Sequence, residues 1–409
     1  MAISRATTST QLDPHTPART TARIHLLMIH FGLLLLAQAV FAYLSIPRIP
    51  SHAAAASAAS SRLSNITTPN AADTFLIPYP ARTTPSVSGY FRGVNIFGAW
   101  QSAWGHADAF PTTAQLDYYR KKGLTTFRVP LLWEHLQPTL MGPLDPTYLD
   151  KMDLLVAEAT ARHERVIFTF INQGVYPARN GSAVGSAAVP AKAFSNVWQQ
   201  LAIHFRGNDG VLAYDLMNEP YHDTEWPVHA QEAIYAIRAI DISKPIIVMP
   251  EDESFTGYRL DYRFRGYQDP ANNLWYEAHI YFDHDGSGEY AGSYDDEGAY
   301  PMVGVDRVRP FVQWCQTYGF HCYVGEYGIP GGWIAGDDRT TFGAPTNDPR
   351  WNIVLDNFLA YLDQHQISGT YWNGGPYGDI SSVEPTNTGQ DRPQMAVLER
   401  HLGTWKSGD

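Results

Sequence analysis

The stretch YDLMNEP, residues 214–220, runs an apolar segment directly into an amide, a carboxylate and a proline. A second stretch, YVGEYG at residues 323–328, does the same with one glutamate. Apolar runs of this length, bounded by turn residues, predict strands buried on both faces. Six further segments read the same way, so strands are predicted at 93–97, 126–129, 166–170, 211–216, 246–249, 274–278, 322–325 and 369–372. Helical periodicity falls between them at 113–122, 146–163, 191–205, 227–240, 303–318 and 349–366, with a last segment at 393–402. The stretch after the fifth strand, DESFTGYRLDYRFRGYQDP, shows little helical period. Eight strands alternating with helices predict an α/β fold, a (β/α)8 TIM barrel.

That fold explains a charge at the end of a strand. Barrel active sites collect at the C-terminal ends of the strands, so Glu219 and Glu326 are placed at the mouth by strands four and seven. Two carboxyls over one pocket are what glycosidic bond cleavage requires: one protonated to release the leaving oxygen, one ionised to attack or stabilise the sugar cation.

Composition is compatible with such a site. The chain has 409 residues and a formal charge of −12, which leaves no basic face for nucleic acid and suits neutral ligands better. Its 11 Trp and 24 Tyr supply flat, amphipathic surfaces of the kind sugar rings stack on, although most aromatics of a large domain fill the core. No phosphate loop, zinc helix or nucleophile-elbow serine occurs, so neither a metal nor an organic cofactor is expected. The acidic stretch DHDGSGEYAGSYDDEG, 283–298, lacks the spacing of a calcium loop and reads as a flexible loop over the cleft.

The first part of the chain differs. A polar, basic leader, 1–23, precedes a mostly apolar segment, 24–44, and an Ala/Ser/Pro-rich linker, 45–88, before the catalytic domain at 89–409. The 24–44 segment is expected to be either a cleaved signal peptide or an uncleaved membrane anchor. Either places the domain outside the cytoplasm: secreted, periplasmic or membrane-anchored. A monomer is expected. Cys315 and Cys322, the only two cysteines, are expected to pair locally in such a compartment. Asn65 and Asn180 open glycosylation acceptor patterns that carry meaning only in a eukaryotic secretory pathway.

Taken in order, RGVNIFG, FRVPLLWEHLQP, YDLMNEP, HIYFD, YVGEYG and GTYWNGG resemble the glycoside hydrolase family 5 cellulases, retaining enzymes of (β/α)8 fold, over residues 89–402. The resemblance implies a retaining β-glycanase, an endo-β-1,4-glucanase acting on a polysaccharide or oligosaccharide. It makes Glu219 the acid/base and Glu326 the nucleophile, supported by Arg128, Asn218, His279 and Tyr281, with Trp372 as a sugar platform. Asn172, Trp100, Trp104 and Trp133 are further candidates for substrate contact, each with core packing as the rival reading.

One position departs from the family pattern. Where many members carry a His-Asn pair after strand three, this chain has Ile171 before Asn172. Isoleucine cannot hydrogen-bond a sugar hydroxyl, so another side chain, such as His106 or His135, rebuilds that subsite or the preferred sugar is not the glucose of cellulose. Mannan, β-1,3-glucan, a glycolipid or a bacterial exopolysaccharide are the alternatives, and a silent glycan-binding barrel is a third reading. Glu251, Asp252 and Glu253 are rival carboxylates at the rim.

Overall fold

In the computed structural model, the sequence pattern resolves into a closed barrel whose every strand is buried. The model describes residues 89–96, 110–250, 266–331, 348–375, 380–386 and 388–405. The leader, the 24–44 segment and the linker lie outside the described residues, as do Trp100, Trp104, His106 and Glu251 to Glu253. Among the described residues no helix is long and apolar enough to cross a membrane.

The barrel strands are β1 (Arg92–Asn95), β2 (Thr126–Leu131), β3 (Arg165–Phe170), β4 (Val211–Asp215), β5 (Ile246–Val248), β6 (Leu274–His279), β7 (His321–Glu326) and β8 (Ser368–Tyr371). Each pairs in parallel with its sequence neighbours, and β1 closes on β8. All eight expected strands are therefore present, with ends shifted by a residue or two. Between them run α1 (Thr113–Lys121), α2 (Pro146–Ala161), α3 (Ala191–Phe205), α4 (Trp226–Arg238), α5 (Val303–Tyr318) and α6 (Arg350–Gln364). Their starts follow from local chemistry. Thr112 and Gln115 form a reciprocal capping box for α1, while Asp145 caps α2 ahead of Pro146. Gly319, at φ 67°, ends α5 in the left-handed conformation that a glycine adopts without penalty.

Two expectations are corrected, and one element is new. The helix at 393–402 is a single turn, Met395–Leu398, after which the backbone tightens to three-residue bonds, Arg400 N–H to the Val397 carbonyl and His401 N–H to that of Leu398. The 283–298 loop is packed rather than flexible. Asp283 accepts hydrogen bonds from the backbone of Gly288 and Tyr290, Glu297 accepts from His284, and the buried Tyr290 ring meets Trp351 edge-on at 5.0 Å. A small antiparallel hairpin, Val175–Tyr176 with Ser182–Ala183, was not anticipated, since two-residue strands are too short to show alternation. Asn180 sits at its turn, at φ 54°.

The expected disulfide is present. Cys315 at the end of α5 is bonded to Cys322 at the start of β7, with 6.1 Å between Cα atoms.

The barrel interior is divided by depth. Its N-terminal end is filled by Phe91, Ile167, Leu212, Ala213, Ile247, Trp275 and Tyr323, with Trp405 against them. Toward the C-terminal end the residues in register become polar: Asn95 pairs with Arg128, and His279 with Glu326. The apolar layer is a solid floor, and the polar layer stands on it.

Below the barrel, Glu164 is 1% exposed and neither carboxyl oxygen has a hydrogen-bond partner among the described residues. Burial pushes its pKa up to about 8. A carboxyl whose folded pKa exceeds its unfolded value costs the native state stability as pH rises from the unfolded pKa to the folded one. Glu164→Gln is therefore expected to raise Tm by about 2–4 °C at pH 9 while leaving it nearly unchanged at pH 5. Thermal unfolding at the two pH values checks this, and an equal shift at both would refute the ionisation argument.

Candidate active site

Arg128, on β2 and fully buried, organises the polar layer. Its Nε donates to Asp215 at 2.7 Å, Nη1 to Asn95 at 3.0 Å and to Glu326 at 2.9 Å, and Nη2 to Asn218 at 3.0 Å. Nη2 also lies 3.3 Å from Glu277. One planar cation thus touches residues from β1, β4, β6 and β7, in the geometry that suits a guanidinium and not an ammonium.

The positions of the two glutamates follow from local backbone features. A register shift between β6 and β7 sets His279 opposite Glu326. It leaves Gly325 beside Glu277, where a Cβ would stand 1.6 Å from the Glu277 carboxylate, so only glycine fits. Glu219 follows β4 at φ 44°, a strained angle for a residue with a side chain, and its N–H meets the Met249 sulfur at 3.4 Å. Its side chain is 27% exposed, against 4% for Glu326.

His279 joins them. Its Nδ1 lies 2.9 Å from Glu219 and 3.4 Å from Glu326, and its Nε2 lies 3.3 Å from Glu277. Burial pulls the imidazole pKa down, but the Glu326 charge and the bonds to Glu219 and Glu277 outweigh it and push it up to about 10. At neutral pH the ring is a cation. Ligand atoms of Glu219, His279 and Glu326 lie within 4.8 Å of one another, the spacing a metal site would need. These side chains are joined by hydrogen bonds: His279 Nδ1 meets Glu219, and Glu326 accepts from Arg128 and Tyr281.

The surroundings push the two carboxyls in opposite directions, and not in those that a proton donor at Glu219 and an ionised nucleophile at Glu326 would take. Burial works to raise Glu219, yet the hydrogen bond and charge of His279 bring its pKa down. At Glu326 burial outweighs the charges of His279 and Arg128, and the direction is up. Both oxygens of Glu326 accept, one from Arg128 and the other from the Tyr281 hydroxyl at 2.7 Å. Glu219 accepts from His279 and from the Gln173 side chain, and it is the more exposed of the two carboxyls. Exposure therefore separates them: Glu219 is the one able to exchange a proton with the cleft.

The structure thus brings Arg128, Asn218, Glu219, His279, Tyr281 and Glu326 together, and Trp372, half-buried, follows directly after β8 and packs against the apolar core. Two expected substrate contacts are corrected. Trp133 is fully buried, with its ring edge-on to Tyr176 at 4.9 Å and to Phe194 at 5.6 Å, and presents no face to a ligand. Asn172 accepts from the Trp133 backbone at 3.0 Å and donates to Glu134 at 2.7 Å, so it positions the loop after β2. Ile171 stands half-buried at the end of β3, as does His135 after β2. Sequence reasoning missed Asn95, Asp215, Glu277 and Gln173, whose side chain also bonds Glu219. Asp215 closes its strand in the way that had singled out Glu219 and Glu326, and a stricter use of that signal would have found it.

A barrel closed by eight parallel strands, with two carboxyls and a buried cation at its C-terminal mouth, defines a glycoside hydrolase. The model of Cellulase (glycosyl hydrolase family 5) matches residues 84–378, and the chain belongs to that family. It is similar to endo-β-1,4-glucanase B of Emericella nidulans, 28% identical over 308 residues that cover 73% of this chain and 85% of the relative. Among solved structures it resembles Pseudomonas stutzeri endoglucanase Cel5A at 34% identity and TM-score 0.67, covering 76% of this chain and 94% of that one. A Xanthomonas axonopodis pv. citri endo-β-1,4-glucanase is similar at 28% identity and TM-score 0.66, covering 76% and 98%.

Tyr281→Phe removes one of the two fixed donors to Glu326 and leaves the ring in place. Turnover of a β-glucan should fall about tenfold to a hundredfold, with Tm held within about 2 °C. An unchanged rate would remove the hydroxyl from the account.

Proposed function

We propose that this chain is an exported endo-β-1,4-glucanase that hydrolyses internal bonds of a β-glucan by double displacement with retention. The observation carrying the mechanism is the approach of Glu219 and Glu326: their nearest ligand atoms lie within 4.8 Å. Retaining enzymes hold their carboxyls about 5–5.5 Å apart, whereas inverting enzymes need about 6.5–9.5 Å to admit a water.

Glu326, held ionised by Arg128 and Tyr281, attacks the anomeric carbon while Glu219 gives its proton to the departing glycosidic oxygen. The leaving chain departs from the opposite face, and a covalent glycosyl ester on Glu326 remains. Glu219, now a base, takes a proton from water, and the resulting attack frees Glu326 and restores the original configuration. Asn218, oriented by Arg128, is in place to hold the sugar 2-hydroxyl, a contact that strengthens as the ring flattens. Trp372 supplies the stacking surface beneath that sugar.

The similarity to named endo-β-1,4-glucanases supports β-1,4-glucan as the polymer. Ile171 favours a second reading. An apolar side chain where many family members place a histidine removes one hydrogen bond to a neighbouring sugar, and mannan, β-1,3-glucan, a glycolipid or a bacterial exopolysaccharide are the substrates this leaves open. Export is supported by the Cys315–Cys322 disulfide and by the apolar 24–44 segment, as signal or anchor. The catalytic domain is assigned to 89–409, the preceding 45–88 serving as linker. It is expected to act as a monomer.

The test compares carboxymethylcellulose, glucomannan, mixed-linkage glucan and laminarin side by side. Wild type should cut the viscosity of the cellulose derivative rapidly, and Glu219→Gln or Glu326→Gln should lower turnover by at least about 10²–10⁴. Cleavage of another polymer with silence on cellulose would move the conclusion to the second reading. A wild type inactive on every polymer would refute both.

A further inference from the structure

Asp215 and Glu277 lie directly beneath the two glutamates and are used by no step above. Both are fully buried. Asp215 is held by Arg128 Nε at 2.7 Å, and Glu277 lies 3.3 Å from Arg128 Nη2 and 3.3 Å from His279 Nε2. Each carboxyl therefore has one oxygen on a cation. The other oxygen of each, Asp215 Oδ1 and Glu277 Oε2, is buried with no conventional donor among the described residues. Two orphaned oxygens on adjacent carboxyls are satisfied together if one proton lies between them.

We propose that Asp215 and Glu277 form a proton-sharing acid pair, Asp215 donating to Glu277, that positions Arg128 and His279 beneath the catalytic glutamates. Both are positioning residues. They touch no substrate and act through the cations above them. The proposal rests on the reading of Glu219 and Glu326 as the catalytic pair.

Charge balance supports it. The cluster holds four carboxyls, Asp215, Glu219, Glu277 and Glu326, against two cations, Arg128 and His279. With one proton between Asp215 and Glu277 and one on the Glu219–Glu326 pair, two negative charges face two positive ones and the buried cluster is neutral. Without the shared proton an uncompensated charge would stand in a dry interior, which is strongly unfavourable. Among the described residues, the strand neighbours of the pair offer no other cation. Tyr323, which faces the pair from β7, keeps its proton because burial holds its pKa far above the ordinary value. Thr169 and Ile247, in register with Asp215 on β3 and β5, do not ionise. The titration directions agree: burial and the Glu277 charge lift Asp215 to about 8 against the pull of Arg128. At Glu277 burial works upward, and Arg128, His279 and the Asp215 hydrogen bond bring the pKa down.

The pair has a consequence for the reaction. The Glu277 carboxylate helps keep His279 protonated, and His279 hydrogen-bonds Glu219 and lies 3.4 Å from Glu326. Losing that charge lowers the pH at which His279 gives up its proton, and the alkaline limb of activity moves with it.

Infrared difference spectra of the folded wild type against D215N in heavy water at pH 7 are the first measurement. A positive carbonyl band of a protonated carboxylic acid is expected in the wild-type-minus-variant difference, where the bands of Glu164 and of the catalytic pair cancel, and a difference spectrum without that band would overturn the proposal whatever the enzyme cleaves. Activity tests the function of the pair. Asp215→Leu, which removes the bridge, should lower kcat at least about tenfold, and Asp215→Asn, an isostere of the neutral acid, should recover most of that loss with the wild-type pH profile. Glu277→Gln should move the alkaline limb of kcat/KM down by about one pH unit or more. A D215N profile displaced as far as that of E277Q, or an E277Q profile that does not move, would refute the assignment. Failure of the wild type on every β-glucan would instead sink the catalytic reading and leave the infrared result standing.

Discussion

The Arg128 guanidinium is the interaction on which the rest of the site depends. A fully buried cation is costly to desolvate, and it is tolerable here because acceptors from four other strands or their ends converge on it. The convergence runs both ways. Asn95, Asp215, Asn218, Glu277 and Glu326 come from distant parts of the chain, and each is oriented by the nitrogen that it accepts from. Removing a single partner leaves charge uncompensated in a low-dielectric interior, so the layer behaves as one unit.

The barrel supplies what such a layer needs. Beneath it, Phe91, Trp275 and Tyr323 fill the axis and exclude water, which strengthens every bond above. At the rim, the register shift at Gly325 brings Glu326 level with His279 while leaving room for Glu277. The strained backbone at Glu219 lifts that carboxyl toward the cleft, and it stays the more exposed of the two glutamates. The asymmetry of the pair thus originates in backbone geometry and in the exposure that this geometry leaves to Glu219.

Much of this was legible in the sequence, for stated physical reasons. Strands buried on both faces read as apolar runs, so all eight were found, and a carboxyl at the end of such a run pointed to the mouth. What stayed hidden depends on alternation and packing. Glu277 sits inside the apolar run LWYEAH, where an inward-facing acid looks like an interruption until Arg128 is seen opposite it. Trp133 follows a strand end as a platform tryptophan would, yet its ring turns into the core between Tyr176 and Phe194. Asn172 kept its place at the mouth but gave its amide to the loop carrying Glu134. Sequence position locates a residue along the barrel axis, and only packing shows which way its side chain is turned.

If Glu219 and Glu326 act as a retaining pair across one sugar, the configuration of the product records it. Proton NMR of a β-glucan oligosaccharide during the first minutes of hydrolysis reads that configuration before mutarotation mixes the anomers. The new reducing end is expected first as the β-anomer. Initial release of the α-anomer would mean that a water attacks directly, and the double displacement described here would be wrong.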